Sequence, residues 1–169
     1  GDFILKTTSN QEFNSKTLRG KFVLVYFGST YCPGISLPDL LKLKTIIDSL
    51  SKSQSKGLID FIFITADPLQ DTQERLSSYF KELDPRIIPL TGDKDQIDLV
   101  LKNYKVYNTL FGNKPEPQTE EKTAPSQCII TAPAPFYLIG KDGELIKHYK
   151  TYSTSLSISK DIMHYMKVS

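Results

Sequence analysis

The run Phe22-Val23-Leu24-Val25-Tyr26-Phe27 leads through Gly28-Ser29-Thr30-Tyr31 to Cys32-Pro33, and its reading decides the fold. A continuous β-branched and aromatic run predicts a central strand buried on both faces. Gly28 to Gly34 reads as a loop. Beyond it Leu40, Leu43, Ile47 and Leu50 recur at spacings of three and four, one face of a helix. Pro38 sits where a first-turn proline is tolerated, and Ser36-x-x-Asp39 resembles a capping box with a shortened acid. Cys32 therefore stands at the mouth of a helix. A helix N-terminus lowers a thiol's pKa and makes it a nucleophile or a metal ligand.

On the N-terminal side, Phe3 to Lys16 alternates briefly and breaks at Ser9-Asn10-Gln11, a hairpin. On the C-terminal side, Ile59 to Ala66 is a second buried strand closed by Asp67-Pro68. Helices are expected over Asp71 to Leu83 and Gln96 to Tyr104, with a short strand from Ile87 to Leu90 between them. Phe136 to Ile139 and Glu144 to Tyr149 flank Gly140-Lys141-Asp142-Gly143, a second hairpin, and Thr154 to Lys167 closes the chain as a helix. Asn108 to Gln127 shows no periodicity and reads as a loop insertion, of the kind that is usually functional or mobile. The alternation of strands and helices predicts one α/β domain over residues 1–169, with a largely parallel sheet covered on both faces and antiparallel strands added at the end. A buried strand, then a cysteine at a helix mouth, is the thioredoxin-like arrangement.

Composition excludes several functions. Lys plus Arg is 21 and Asp plus Glu 19, a net charge of +2 that is too small for a phosphate-tracking surface. Only Arg19, Arg75 and Arg86 supply guanidinium forks, so nucleic-acid binding is not expected. No stretch approaches the roughly 20 apolar residues that span a bilayer. Cys32 and Cys128 are too few for a disulfide framework, and His148 and His164 show no zinc-ligand spacing with them.

An ordered set of segments resembles the Sco/SenC family, the copper-handling thioredoxin-like proteins that assemble cytochrome c oxidase. The set comprises Leu18-Arg19-Gly20-Lys21, Tyr26 to Pro33, Phe63-Ile64-Thr65-Ala66-Asp67-Pro68 with Asp71-Thr72, Leu90-Thr91-Gly92 with Gln96-Ile97, Tyr104 to Tyr107, and Tyr137 to Gly143. Each piece is weak alone, but in order they cover nearly the whole chain outside the insertion. The resemblance implies a thioredoxin-like fold with a central mixed sheet flanked by helices, an N-terminal hairpin and a loop insertion near 108–127. It also implies a copper site made from C-P-x-x-x-C and a histidine shortly before the last central strand, since two thiolates and an imidazole suit Cu(I). Here the first cysteine is Cys32, the second position is Ser36, and the histidine position, five residues before Tyr137-Leu138, is Ala132. Gln70 replaces the family arginine after Asp67-Pro68, while Asp67 is kept. Two of three ligands are absent, so no metal, cofactor or catalytic residue is expected.

The individual residues leave alternatives open. Cys32 is either a lone reactive thiol or a retained cysteine packing as a small apolar group. Ser36 is expected to cap the following helix, worth about 1 kcal/mol. Cys128 lies four residues before Ala132. In an extended segment it would approach Cys32 and restore a two-thiolate pair or a disulfide; otherwise it is a strand residue of the insertion. His148 and His164 are expected on the surface, and Asp67 in a turn. A thiol peroxidase is disfavoured because Ser29 and Val25 occupy the positions of that class's threonine and proline. A C-x-x-C oxidoreductase is disfavoured by Ile35.

The reading is thus a non-enzymatic Sco-like protein, a structural subunit or assembly factor of cytochrome c oxidase that has lost its copper site. The alternative is a copper chaperone or thiol-redox protein using Cys32, with or without Cys128. Expected partners are oxidase subunits or another Sco-like protein, docking on the insertion or on Tyr31 to Ile35 with Thr131 to Pro135. The expected place is the intermembrane-space side of the mitochondrial inner membrane, with association through a partner or through an anchor ahead of Gly1. A bacterial periplasm is the alternative.

Overall fold

The computed structural model describes residues 1–53, 57–112 and 127–168. The strand that decides the sequence reading is the middle of the sheet. Strands β1 (Ile4–Lys6) and β2 (Glu12–Asn14) form the N-terminal hairpin, followed by a 3-10 turn at Ser15–Leu18 and then β3 (Phe22–Gly28). The chain continues through α1 (Ser36–Ser51), β4 (Ile59–Thr65), α2 (Gln73–Leu83), β5 (Ile87–Leu90) and α3 (Lys94–Asn103). It ends with α4 (Tyr107–Phe111), β6 (Phe136–Ile139), β7 (Leu145–Tyr149) and α5 (Ser155–Val168).

The five-stranded sheet runs β5-β4-β3-β6-β7. β3 is parallel to β4, and β4 to β5, whereas β6 and β7 join antiparallel. The expected mixed sheet is therefore present. All seven residues of β3 are buried because helices cover both of its faces. On one face Tyr26 packs against Phe63 and Phe136, and Phe63 against Phe80 of α2 with ring centroids 4.7 Å apart. α1 joins this face through Asp39, which accepts a hydrogen bond from the Tyr26 hydroxyl at 2.7 Å. On the other face Phe27 meets Tyr104 and Tyr137 at 5.3 and 5.7 Å, and Tyr104 meets Phe3 of the N-terminal segment. The hairpin docks by a backbone exchange between Lys6 and Thr91.

Element starts differ from the expectations for local reasons. α2 begins at Gln73, not Asp71, because the Thr72 hydroxyl accepts the Arg75 N–H and caps it. α3 begins two residues early, at Lys94, because Asp93 and Gln96 close a reciprocal capping box. The expected loop from Asn108 is corrected at its start: Tyr107–Phe111 forms a short helix that buries Leu110. The rest of that loop, residues 113–126, lies outside the described residues. Among the described residues no helix is long and apolar enough to cross a membrane.

Candidate functional site

Three segments meet at one end of the sheet. β3 closes at Gly28 opposite Thr65, the last residue of β4, and β6 enters antiparallel with Phe136 beside Tyr26. The loop after β3, the turn after β4 and the segment before β6 carry Cys32, Asp67 and Ala132 respectively.

The first loop is fixed before it reaches Cys32. Buried Asp71 accepts from the Thr30 N–H at 3.2 Å, from the Thr65 hydroxyl at 2.7 Å and from the Thr30 hydroxyl. Arg75 donates to the Thr30 hydroxyl at 3.1 Å, and its guanidinium lies 4.4 Å from the Tyr31 ring centroid, a cation–π contact. The Cys32 carbonyl then accepts from the N–H groups of Ile35 and Ser36 at 3.0 and 2.8 Å, so the chain makes one turn into α1.

Ser36 does not cap that helix. α1 starts at Ser36 itself, with Ile35 as its N-cap and no side-chain cap bond. The buried Ser36 hydroxyl instead turns back to accept the Ser29 N–H at 3.1 Å. Asp39, the other half of the expected capping box, is taken by Tyr26. Burial raises the pKa of both the Asp39 carboxyl and the Tyr26 phenol above their ordinary values. Gly28 is required here by close approach, since a Cβ would lie 2.7 Å from the Ser36 hydroxyl oxygen.

Cys32 and Cys128 are joined by a disulfide, with Cα atoms 4.9 Å apart across 96 positions. The separation is ordinary for a disulfide, whose Cα atoms usually lie about 4.4–6.8 Å apart. This corrects the expectations of a lone thiol or a small apolar packing group. Cys32 is 1% exposed, and its sulfur is covalently used. Cys128 is not a strand residue, because 127–131 has no regular secondary structure.

Asp67 takes the expected turn role. Its carbonyl accepts the Asp71 N–H at 2.9 Å, and its carboxylate accepts the Gln70 side-chain N–H at 2.6 Å. Burial, the largest influence, pushes the carboxyl above its usual range, against the hydrogen bonds from Gln70. Gln70 also bonds both backbone groups of Gln127, next to Cys128. Ala132 is half-buried, and Thr131 before it donates its hydroxyl to the Leu110 carbonyl at 3.0 Å. His148 on β7 and His164 on α5 are exposed, as expected. Among the described residues no group of three or more His, Cys, Asp or Glu is placed to hold a metal ion.

The structure thus gathers Cys32, Ser36, Asp67 and Cys128 at the sheet end where Ala132 also lies. Sequence reasoning missed the work of Asp71, Arg75 and Gln70. Asp71 lies in a segment of the family pattern that carries no local sign of its partners, and Gln70 stands out in the sequence only by departing from that pattern.

A family model for SCO1/SenC matches residues 1–167. The SCO2-like protein of Rickettsia prowazekii is 36% identical over 99% of this chain and 75% of that protein. The human mitochondrial SCO1 homolog is 29% identical over 99% of this chain and 52% of that protein, so the chain spans about half the length of this relative. The solved structure of Arabidopsis thaliana ScoI with copper bound superposes with a TM-score of 0.82 at 27% identity, covering 100% of this chain and 98% of that one. With the β3 strand, the Cys32 loop and the Asp67 turn all in the order that these matches span, the chain belongs to the SCO1/SenC family.

Proposed function

We propose that this chain is a non-enzymatic Sco-family protein that serves cytochrome c oxidase as a structural subunit or assembly factor, its copper site lost. The observation that carries the reading is the fate of the three family ligand positions. The Cys32 sulfur is bonded to Cys128, the Ser36 hydroxyl is engaged with the Ser29 N–H, and Ala132 has no donor atom. A hydroxyl oxygen is also a poor match for soft Cu(I). Ser36 and Ala132 do not supply the soft donors that the metal takes.

Among the described residues the sheet and its covering helices are intact around them, which suits a domain kept for its surface. A stable complex needs about 800 Å² per partner and not a set of ligands. Oxidase subunits or another Sco-like protein are the proposed partners. The mitochondrial names among the relatives support a mitochondrial home, for which the intermembrane-space side of the inner membrane is the proposed place, and the Rickettsia relative supports a bacterial home, the proposed alternative being the periplasm.

One observation favours a second reading. The two sulfurs are brought together from distant loops, which a thiol-redox protein or a two-thiolate chaperone would need. Co-purification in mild detergent separates the two. The assembly reading expects a defined stoichiometry with oxidase subunits that survives Cys32→Ser. If Cys32→Ser abolishes oxidase assembly, thiol chemistry is the function and the second reading replaces the first.

A further inference from the structure

Gln70 makes a contact that an arginine at this position cannot copy. Its side-chain N–H donates to the Gln127 carbonyl at 2.5 Å, and its side-chain oxygen accepts the Gln127 N–H at 3.1 Å. A carboxamide carries one face of donor and acceptor and so pairs with a peptide as another strand would; a guanidinium has no acceptor. The same nitrogen donates to the Asp67 carboxylate at 2.6 Å, and the Gln70 N–H reaches the other oxygen of that carboxylate at 3.4 Å. The amide is therefore oriented from behind. Asp67 is itself buried and anchored by the Asp71 N–H, within the network that holds Thr30 and the Cys32 loop. One rigid turn thus grips both partners of the disulfide. It grips the first through Asp71 and Thr30, and the second through Gln70 and Gln127, one residue before Cys128.

We infer that Gln70 is the positioning residue of a thiol–disulfide pair built from two loops: it holds the Gln127 peptide so that Cys128 faces Cys32. With residue 36 a serine, Cys32 has no partner within its own turn, and the second thiol must come from elsewhere. Holding that thiol in place raises its effective concentration at Cys32. The inference rests on the pairing of Cys32 with Cys128 and not on the proposed assembly role. The reaction is protein dithiol plus oxidised glutathione going to protein disulfide plus two reduced glutathiones. The Cys32 and Cys128 sulfurs join as the glutathione S–S bond breaks. Two electrons pass from the protein sulfurs to glutathione, and the two thiol protons end on its two thiols.

The test equilibrates the full chain in glutathione redox buffers at pH 8 and counts free thiols by alkylation and mass. The wild-type protein is expected to form the Cys32–Cys128 disulfide. Gln70→Ala should lower its equilibrium constant about tenfold, the scale of two lost hydrogen bonds. Gln70→Glu is nearly the same size, but at this pH it only accepts and it faces the Asp67 carboxylate, so it should lose at least as much. Tyr149→Phe, which removes a hydrogen bond to Asp161 elsewhere in the fold, should leave the constant unchanged. The inference is overturned if Gln70→Glu matches the wild type, if Gln70→Ala has no effect, or if Tyr149→Phe lowers the constant as much. A wild type that keeps two free thiols in excess oxidised glutathione overturns the pairing and this inference with it, while the assembly reading stands.

Discussion

The two loops that meet at the disulfide are held in different ways. The loop from Gly28 to Ser36 is locked by its own neighbourhood: Asp71, Thr65, Arg75 and Ser36 satisfy its backbone and side chains, and it runs straight into α1. The segment from Gln127 to Pro135 has no regular structure before β6. Its polar and covalent ties are Gln70 on Gln127, Cys32 on Cys128, and Leu110 on Thr131, and Ile130 and Ala134 are buried in the core. The polar ties of the first loop do not involve the sulfur. The second loop depends on the sulfur, on Gln70, on the Thr131 bonds to Leu110 and on the burial of Ile130 and Ala134. On the proposed reading, one half of the family site keeps its frame while the other half is fastened by a different bond.

The core beneath both loops sets the upper scale. Phe63→Ala, in the ring cluster with Tyr26 and Phe80, should destabilise the domain by about 3–5 kcal/mol in denaturant unfolding, with the Cys32–Cys128 bond still formed. Breaking the disulfide should cost about 2–4 kcal/mol, toward the upper end of that range because the closed loop is long. Cys32→Ser, Cys128→Ser and the double variant should all cost nearly the same, since they remove one bond. Costs that add would mean that the two cysteines act separately.

Asp71→Asn probes the locked loop and should cost about 1–3 kcal/mol through the acceptors withdrawn from Thr30 and Thr65. Its effect should be the same in oxidised and reduced protein, which sharpens the contrast with Gln70. Gly28→Ala should cost about 1–3 kcal/mol through its clash with the Ser36 hydroxyl, and Ser36→Ala should relieve part of it.

The smallest effects concern pH, and their signs differ between regions. Asp67 has its pKa raised in the folded state, chiefly by burial. Its contribution is present below the unfolded value near 3.8 and is lost as pH rises through the folded value. Asp84 lies away from the site. Burial works against its charge, but the hydrogen bonds and charge of Arg86 win and lower its pKa. Its stabilisation is present above the unfolded value and is lost as pH falls through the folded value. Stability measured from pH 3 to 6 should therefore fall less steeply with rising pH in Asp67→Asn. In Asp84→Asn the loss of stability on acidification should shrink. Equal slopes in both variants would remove the distinction.

The contrast also explains what was legible in the chain. β3, β4 and α1 announce themselves by continuous or periodic apolar runs, a local signal that burial enforces. The start of α3 is equally local, in Asp93 and Gln96, but the apolar pattern begins later and masks it. α4 is one short helical turn, too brief for periodicity. The ligand positions were legible only through family resemblance. The disulfide, the Asp71 network and the Gln70 grip link residues 96, 41 and 57 positions apart, and no local pattern encodes such partners. Ser36 illustrates the reverse case. Its sequence context predicts a cap, but a buried loop amide next to it competes for the same hydroxyl and wins.

A graft tests whether the first loop can still serve the family's copper site. Ser36→Cys with Ala132→His, in a Cys128→Ser background, should raise Cu(I) affinity at least tenfold over the parent, since even outer-shell changes at metal sites commonly cost about 10–100-fold. A folded triple variant that binds no better would show that the segment before β6 has moved beyond reach.

The most direct measurement is an anaerobic Cu(I) titration of the reduced wild-type protein against a competing chelator, beside a Sco protein with all three family ligands. With Ser36 and Ala132 at the family's cysteine and histidine positions, the proposed reading predicts that the chelator keeps the metal at concentrations where the three-ligand protein removes it. One-to-one binding as tight as that protein's would contradict the account, and its disappearance in Cys128→Ser would identify the second thiol as the ligand that took over.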